Sequence, residues 1–149
     1  MKHNFRIHLE CPGNFMLPYL LAGFSCGVCI CPDTPIMDIA LLLNATYLDA
    51  GTLVDLVDIL AVNPGIAGQS FDSSVLDKVK WLRAEHKVQH IMIDGGMDEL
   101  TIIQAAQAGA NVIVSGSSIF GKNRKASDGV EMVRDNIERL GNLLRQHGL

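Results

Sequence analysis

Apolar and polar positions alternate along the chain in two periods, and the periods take turns. Short continuous apolar runs read as buried strands: "FRIHL" at 5–9, "CGVCI" at 26–30, the end of "LVDLVDILAVN" at 56–62, "HIMID" at 90–94 and "NVIVSG" at 111–116. Between them lie segments of helical spacing. "NFMLPYLLAGF" predicts a short helix that begins or kinks at Pro18 and ends at Gly23. "TPIMDIALLLN" predicts a helix with Pro35 in its first turn, where a missing N–H does no harm. From about Ser74 to His86 the positions Val75, Leu76, Val79 and Leu82 form one apolar face, with Ser74 and Asp77 as a capping pair. Asp98 opens a helix that stops at Gly109. The last helix runs from about residue 129 to 146, and Val130, Val133, Ile137, Leu140 and Leu144 form its expected buried stripe.

Strand and helix thus alternate about five times, with strands apolar on both faces. That pattern predicts an α/β domain with a parallel sheet and helices outside it. Residues 1–149 read as one domain, without linker or low-complexity segment. Two arrangements fit, an open doubly wound sheet or part of a (β/α) barrel. An open sheet often carries Gly-x-Gly-x-x-Gly after its first strand, and that motif is absent. Here the glycines follow the late strands, in "DGG" (94–96) and "SGSS" (115–118). A barrel builds its phosphate site from its last two strand-end loops, so glycine placement favours the TIM-barrel type, incomplete, with about five βα units.

Composition narrows the function. The chain is 48% hydrophobic and 19% charged, as expected of a domain with a real core. A formal net charge of −4 argues against a nucleic-acid surface, which needs a basic stripe. The five histidines are scattered. Of Cys11, Cys26, Cys29 and Cys31, three fall in "CGVCIC". No second ligand pair exists for zinc, so buried strand thiols in a reducing cytoplasm are favoured over a metal or redox pair. From Gly13 to Pro32 there is no charge, a length that raises a membrane span. Two prolines inside it or at its end, several glycines and no basic flank argue instead for a helix followed by a strand. "MKHNFRIHLE" has no apolar region of signal-peptide type before its charges.

The candidate chemistry sits at three strand ends. "IMIDGGM" brings a buried strand out on one acid, Asp94. Such an acid is costly unless it is paired, caps a helix or is used. Gly95, Gly96 and Gly116 allow backbone N–H groups to approach a phosphate, and Ser117 adds a hydroxyl. The bland alternative is glycine for helix–strand packing. "NPGIAGQSF" (63–71) is either a plain turn or a glycine-bearing cover over a small substrate.

Taken in order, "VNPGIAGQSF", "VLDKV", "IDGGM" and "AAQAGANVIVSGSSIF" resemble the second part of ribulose-phosphate 3-epimerases. "HLE" at 8–10 and "CPDTP" at 31–35 resemble that family's fourth-strand and fifth-strand ends. The resemblance implies a ribulose-phosphate-binding (β/α) barrel whose strands four to eight lie in this chain. It also implies inversion at C3 of a ketose phosphate through a cis-enediolate, between two aspartates on opposite faces, with a divalent metal (zinc, iron, manganese or cobalt) as cofactor. Asp94 corresponds to the family's strand-seven aspartate, a metal ligand and acid/base. Gly65, Ile66, Ala67 and Gly68 would cover the substrate, and Gly95, Gly96, Gly116 and Ser117 would hold its phosphate. Many members carry Phe and Gly where this chain has Ile66 and Ala67, which leaves the exact sugar open, since sister epimerases act on allulose 6-phosphate and similar sugars.

The family's "His-x-Asp-x-Met-Asp-Gly" and "His-Leu-Met" elements do not occur here. His8 aligns with the fourth strand and is not taken as a metal ligand. A whole barrel needs about 200 residues or more. The expectation is therefore weak or no epimerase activity from this chain alone, and completion by a homo-oligomer or by a partner supplying the first strands. The alternative is a non-catalytic phosphosugar-binding or assembly module. A different phosphate-binding barrel, such as a synthase, is a third reading, which the "NPGIAGQSF" loop opposes.

Overall fold

The computed structural model describes residues 4–7, 18–19, 22–44, 54–65, 69–86, 88–121 and 129–147. Within them the chain runs β1 (Asn4–Ile7), β2 (Ser25–Ile30), α1 (Met37–Asn44), β3 (Leu56–Leu60), α2 (Val75–Glu85), β4 (His90–Asp94), α3 (Glu99–Ala108), β5 (Val112–Val114), α4 (Ser117–Phe120) and α5 (Gly129–Gln146). The five strands form one sheet in the order β1-β2-β3-β4-β5, and every adjacent pair is parallel. Sequence-order parallel neighbours joined by helices are the wall of a (β/α) barrel, not a doubly wound sheet, whose order reverses at a switch point. The barrel expectation holds for the described strands.

Residues in register on parallel strands share a face. One face carries Val28, Val57 and Ile91, then Ile30, Ile59 and Ile93. This face is the core: Val57, Ile59, Ile91 and Ile93 have no exposed surface, and they pack with Val75, Val79 and Leu82 of α2 and Ile102 and Ala105 of α3. The other face carries Cys29, Asp58, Met92 and Val112 in one row and Leu60, Asp94 and Val114 in the next. In a barrel this is the interior.

Several local signals act as expected. Asp98 caps α3, its Oδ1 accepting N–H bonds from Leu100 and Thr101 at 3.0 and 2.9 Å. Thr101 completes a capping box by accepting the Asp98 N–H at 2.7 Å, and Gly109 ends the helix in a left-handed conformation. Part of the uncharged stretch at 13–32 is β2, paired on both sides within the sheet, which excludes a spanning helix there. Among the described residues no helix is long and apolar enough to cross a membrane.

Four expectations need correction. Ser74 has helical dihedrals and makes no side-chain cap bond. The carboxylate of Asp72 takes that place, accepting the Ser74 N–H at 2.9 Å, because a side chain two residues earlier reaches the first free amides as an Asx turn does. The stripe on α5 is only partly buried: Leu140 is covered, whereas Val130 is 76% and Ile137 53% exposed. β5 stops at Val114, and Gly116 caps a one-turn helix, α4, that periodicity cannot signal over four residues. β3 ends at Leu60, two residues short of the expected end. Most of the helix expected around Pro18, and the end of the first strand with His8, lie outside the described residues.

The core predicts a sharp mutational contrast. Ile91→Ala, at the sealed centre of β4, should lower stability by about 2–5 kcal/mol in urea unfolding. Leu100→Ala, 65% exposed on α3, should change it by less than about 0.5 kcal/mol.

Candidate active site at the strand ends

Asp94 closes β4 and stands level with Leu60 of β3 and Val114 of β5. It is half-buried, on the interior face, at the carboxyl end of the sheet where barrel chemistry sits. Its backbone carbonyl accepts the Ala61 N–H at 2.7 Å, and the Ala61 carbonyl accepts the Asp72 N–H at 2.9 Å. The loop between β3 and α2 is therefore pinned at its base to the acid-bearing strand end. Gln69 Nε2 donates to the Asn63 carbonyl at 2.6 Å and draws the two limbs of that loop together. Gly65 is exposed with φ 104°, on the limb leading out. Ile66, Ala67 and Gly68 lie outside the described residues.

Gly95 and Gly96 have left-handed φ of 110° and 63°. A Cβ on Gly95 would meet Val62 Cγ2 at 2.5 Å, and one on Gly96 would meet the Phe71 backbone at 2.7 Å. So these glycines have a packing reason: the exit of β4 runs directly against the loop from β3. The same bare backbone is what a phosphate would approach. Gly116 and Ser117 are exposed at the start of α4. Ser115 Oγ and Ser118 Oγ both donate to the Met97 carbonyl, at 3.1 and 2.6 Å, which joins the "SGSS" and "DGGM" segments into one rim. The structure thus brings Asp94, Gly95, Gly96, Gly116 and Ser117 to the same end of neighbouring strands.

Two residues that the sequence reading passed over belong to this end or just beneath it. Asp58, in the middle of β3, is fully buried on the interior face, one row below Asp94, and accepts the Cys29 thiol at 3.4 Å. Its signal was the same as that of Asp94, an acid inside an apolar strand. Lys78 of α2 donates to the carbonyls of Cys31, Pro32 and Thr34 at 3.2, 2.6 and 2.6 Å. Burial pushes its ammonium pKa down from the ordinary lysine value, against the pull of Asp33 and Asp72. Lys78 shapes the loop after β2, and Thr34 Oγ1 accepts the Cys31 N–H at 3.1 Å inside it.

The resemblance implies a divalent metal, and the donors can be tested against that. Among the described residues no three His, Cys, Asp or Glu side chains stand together as a metal site requires. Asp94 is the one expected ligand in place. The described donors by themselves do not fit a resident metal.

Parallel strands in chain order, with glycine-rich exits from the last two, define the class as a (β/α) barrel. The family model "Ribulose-phosphate 3 epimerase family" matches residues 14–120, and the chain belongs to that family. Ribulose-phosphate 3-epimerase, cytoplasmic isoform, of Oryza sativa subsp. japonica is 41% identical over 99 residues, covering 66% of this chain and 41% of the relative. Ribulose-phosphate 3-epimerase of Eremothecium gossypii is 37% identical over 127 residues, 85% of this chain and 48% of the relative. Ribulose-5-phosphate-3-epimerase, chloroplastic, of Arabidopsis thaliana is 40% identical over 103 residues, 66% of this chain and 34% of the relative. The chain spans less than half the length of these curated relatives.

Two predictions follow from the rim. Gly96→Ala should cost about 2 kcal/mol or more and shift the Phe71 resonances in NMR, since the added methyl meets backbone. The Asp72 carboxyl is held below its ordinary value of 3.8, first by the hydrogen bond from Ser74. A lowered carboxyl stabilises the fold above the unfolded value and loses that effect as pH falls through the folded one. The stability gap between the wild type and Asp72→Asn should therefore be present at neutral pH and close as the pH falls through the lowered carboxyl range in urea unfolding.

Proposed function

We propose that this chain is the strand-four-to-eight part of a ribulose-phosphate 3-epimerase-type isomerase. The single observation that carries this is the placement of Asp94: a half-buried carboxylate at the interior carboxyl end of β4, followed by two glycines with left-handed backbone, in a chain of this family. The substrate is a ketose phosphate. Asp94 takes or returns the proton on C3, the carbon beside the carbonyl, on one face of an enediolate, and a second acid outside the described residues serves the other face. The N–H groups around Gly95, Gly96, Gly116 and Ser117 hold the phosphate, which fixes C3 over the carboxylate. Gly65, Ile66, Ala67 and Gly68 cover the substrate and keep water from the carbanion-like intermediate. A divalent metal belongs to the completed site only, with Asp94 as one ligand and the rest supplied from elsewhere; zinc, iron, manganese and cobalt all suit such donors. The location is the cytoplasm, as in the name of the rice relative.

A second reading is a phosphosugar-binding or assembly module without turnover. It is favoured by the absence, among the described residues, of a three-ligand cluster and by the packing role of Gly95 and Gly96.

The test is proton exchange. The purified chain, with added zinc or manganese, is incubated in deuterated water with D-ribulose 5-phosphate, and loss of the C3 proton is followed by NMR. Slow exchange that vanishes in a folded Asp94→Asn variant is expected. Exchange that survives Asp94→Asn would remove Asp94 from the chemistry. No exchange, with the sugar phosphate still bound, would put the binding module first. Robust turnover by the chain alone would show that no outside group is needed.

A further inference from the structure

Three backbone carbonyls turn toward one point just past the end of β2. Those of Cys31, Pro32 and Thr34 all accept from Lys78 Nζ, at 3.2, 2.6 and 2.6 Å. The turn that presents them is closed on itself. The Thr34 N–H donates to the Cys31 carbonyl at 3.1 Å, and the Cys31 N–H donates to Thr34 Oγ1 at 3.1 Å. Cys31 follows Ile30, which stands level with Ile59, so the turn leaves the sheet at the height of Leu60 and Asp94.

Carbonyl oxygens gathered this closely repel one another unless positive charge sits among them. An ammonium group has three N–H donors, one for each oxygen, whereas a neutral amine or a water molecule has two. The acceptors therefore select a cation over water. The carboxylates of Asp33 and Asp72 pull on the same charge, against the cost of burying it. The width of the cradle fits a large monovalent cation. Its oxygens stand 2.6–3.2 Å from Nζ, whereas calcium draws oxygens in to about 2.3–2.6 Å and magnesium to about 2.0–2.1 Å. Converging backbone carbonyls are also what potassium accepts in place of its water.

We propose that the Cys31–Thr34 turn is a monovalent-cation site, filled in this protein by the ammonium of Lys78, and that free ammonium or potassium takes the same place when that side chain is shortened. The positive charge, not the bulk of the side chain, holds the turn. The site is separate from the chemistry of Asp94 and does not depend on the family reading.

Hydrogen exchange at the Cys31 and Thr34 amides, read by NMR, tests this. Lys78→Ala should speed exchange at both at least tenfold. Ammonium chloride or potassium chloride should slow it again along a saturating curve. Tetramethylammonium chloride at the same ionic strength should do nothing, since it is too large and donates no N–H bond. Lys78→Met fills the same space without charge. It should speed exchange as Lys78→Ala does and resist rescue, because its methyl end occupies the cradle. Exchange in Lys78→Met as slow as in the wild type would overturn the proposal. So would equal rescue of Lys78→Ala by ammonium and tetramethylammonium, or no rescue by either small cation. If Lys78→Ala does not fold, the wild type decides. Its Lys78 Nζ should give a separate ammonium resonance in slow exchange with water, and the absence of that resonance at neutral pH and low temperature would overturn the proposal.

Discussion

The rim hangs on the ladder between β3 and β4. Leu60 stands opposite Asp94, the Ala61 N–H bonds to the Asp94 carbonyl, and the next residues of β4 are glycines because the loop from β3 crosses directly over them. A one-residue slip of β4 would send Asp94 to the outer face beside Ile30 and Ile59 and bring Ile93 to the inner face. The fully buried outer face prevents that slip. The packing of α2 and α3 on the sheet thus decides on which side of the wall an acid emerges, and the chemistry at the rim inherits its geometry from a hydrophobic core that touches no substrate.

How far this was legible in the sequence differs by element. The strands and long helices were, since continuous apolar runs and helical spacing report burial directly. So were the end of β4 on Asp94 and the cap at Asp98. The Ser74 cap failed because three candidate caps, Asp72, Ser73 and Ser74, stand in a row and spacing does not choose among them. The α5 stripe failed for a different reason. Periodicity states which flank of a helix is apolar but not whether a neighbour is there to cover it, and Val130 and Ile137 have none among the described residues. Lys78 carried no sequence signal, because its partners are backbone carbonyls on a distant loop. Asp58 did carry one and lay unnoticed beside the more visible Asp94.

The site divides in the same way. Family motifs marked the positions of Asp94 and the glycines, and the fold brings them together. The motifs were silent on the hydrogen bonds that join one strand exit to the next. Ser115 and Ser118 converging on the Met97 carbonyl, and Asp72 anchored to Ala61, turn separate loops into one continuous edge. This is why a change in packing alone, such as a methyl on Gly96 pressed against the Phe71 backbone, reaches the strand-end rim.

Lys78 imposes an order in time. The carbonyls of Cys31, Pro32 and Thr34 that it satisfies are made 44 to 47 residues before it. At a synthesis rate of roughly 5–20 residues per second, that loop waits for seconds without its donor. Only when α2 has formed and lain down on the sheet can the turn after β2 take its final shape. The turn after β2 is therefore completed by a side chain made well after it.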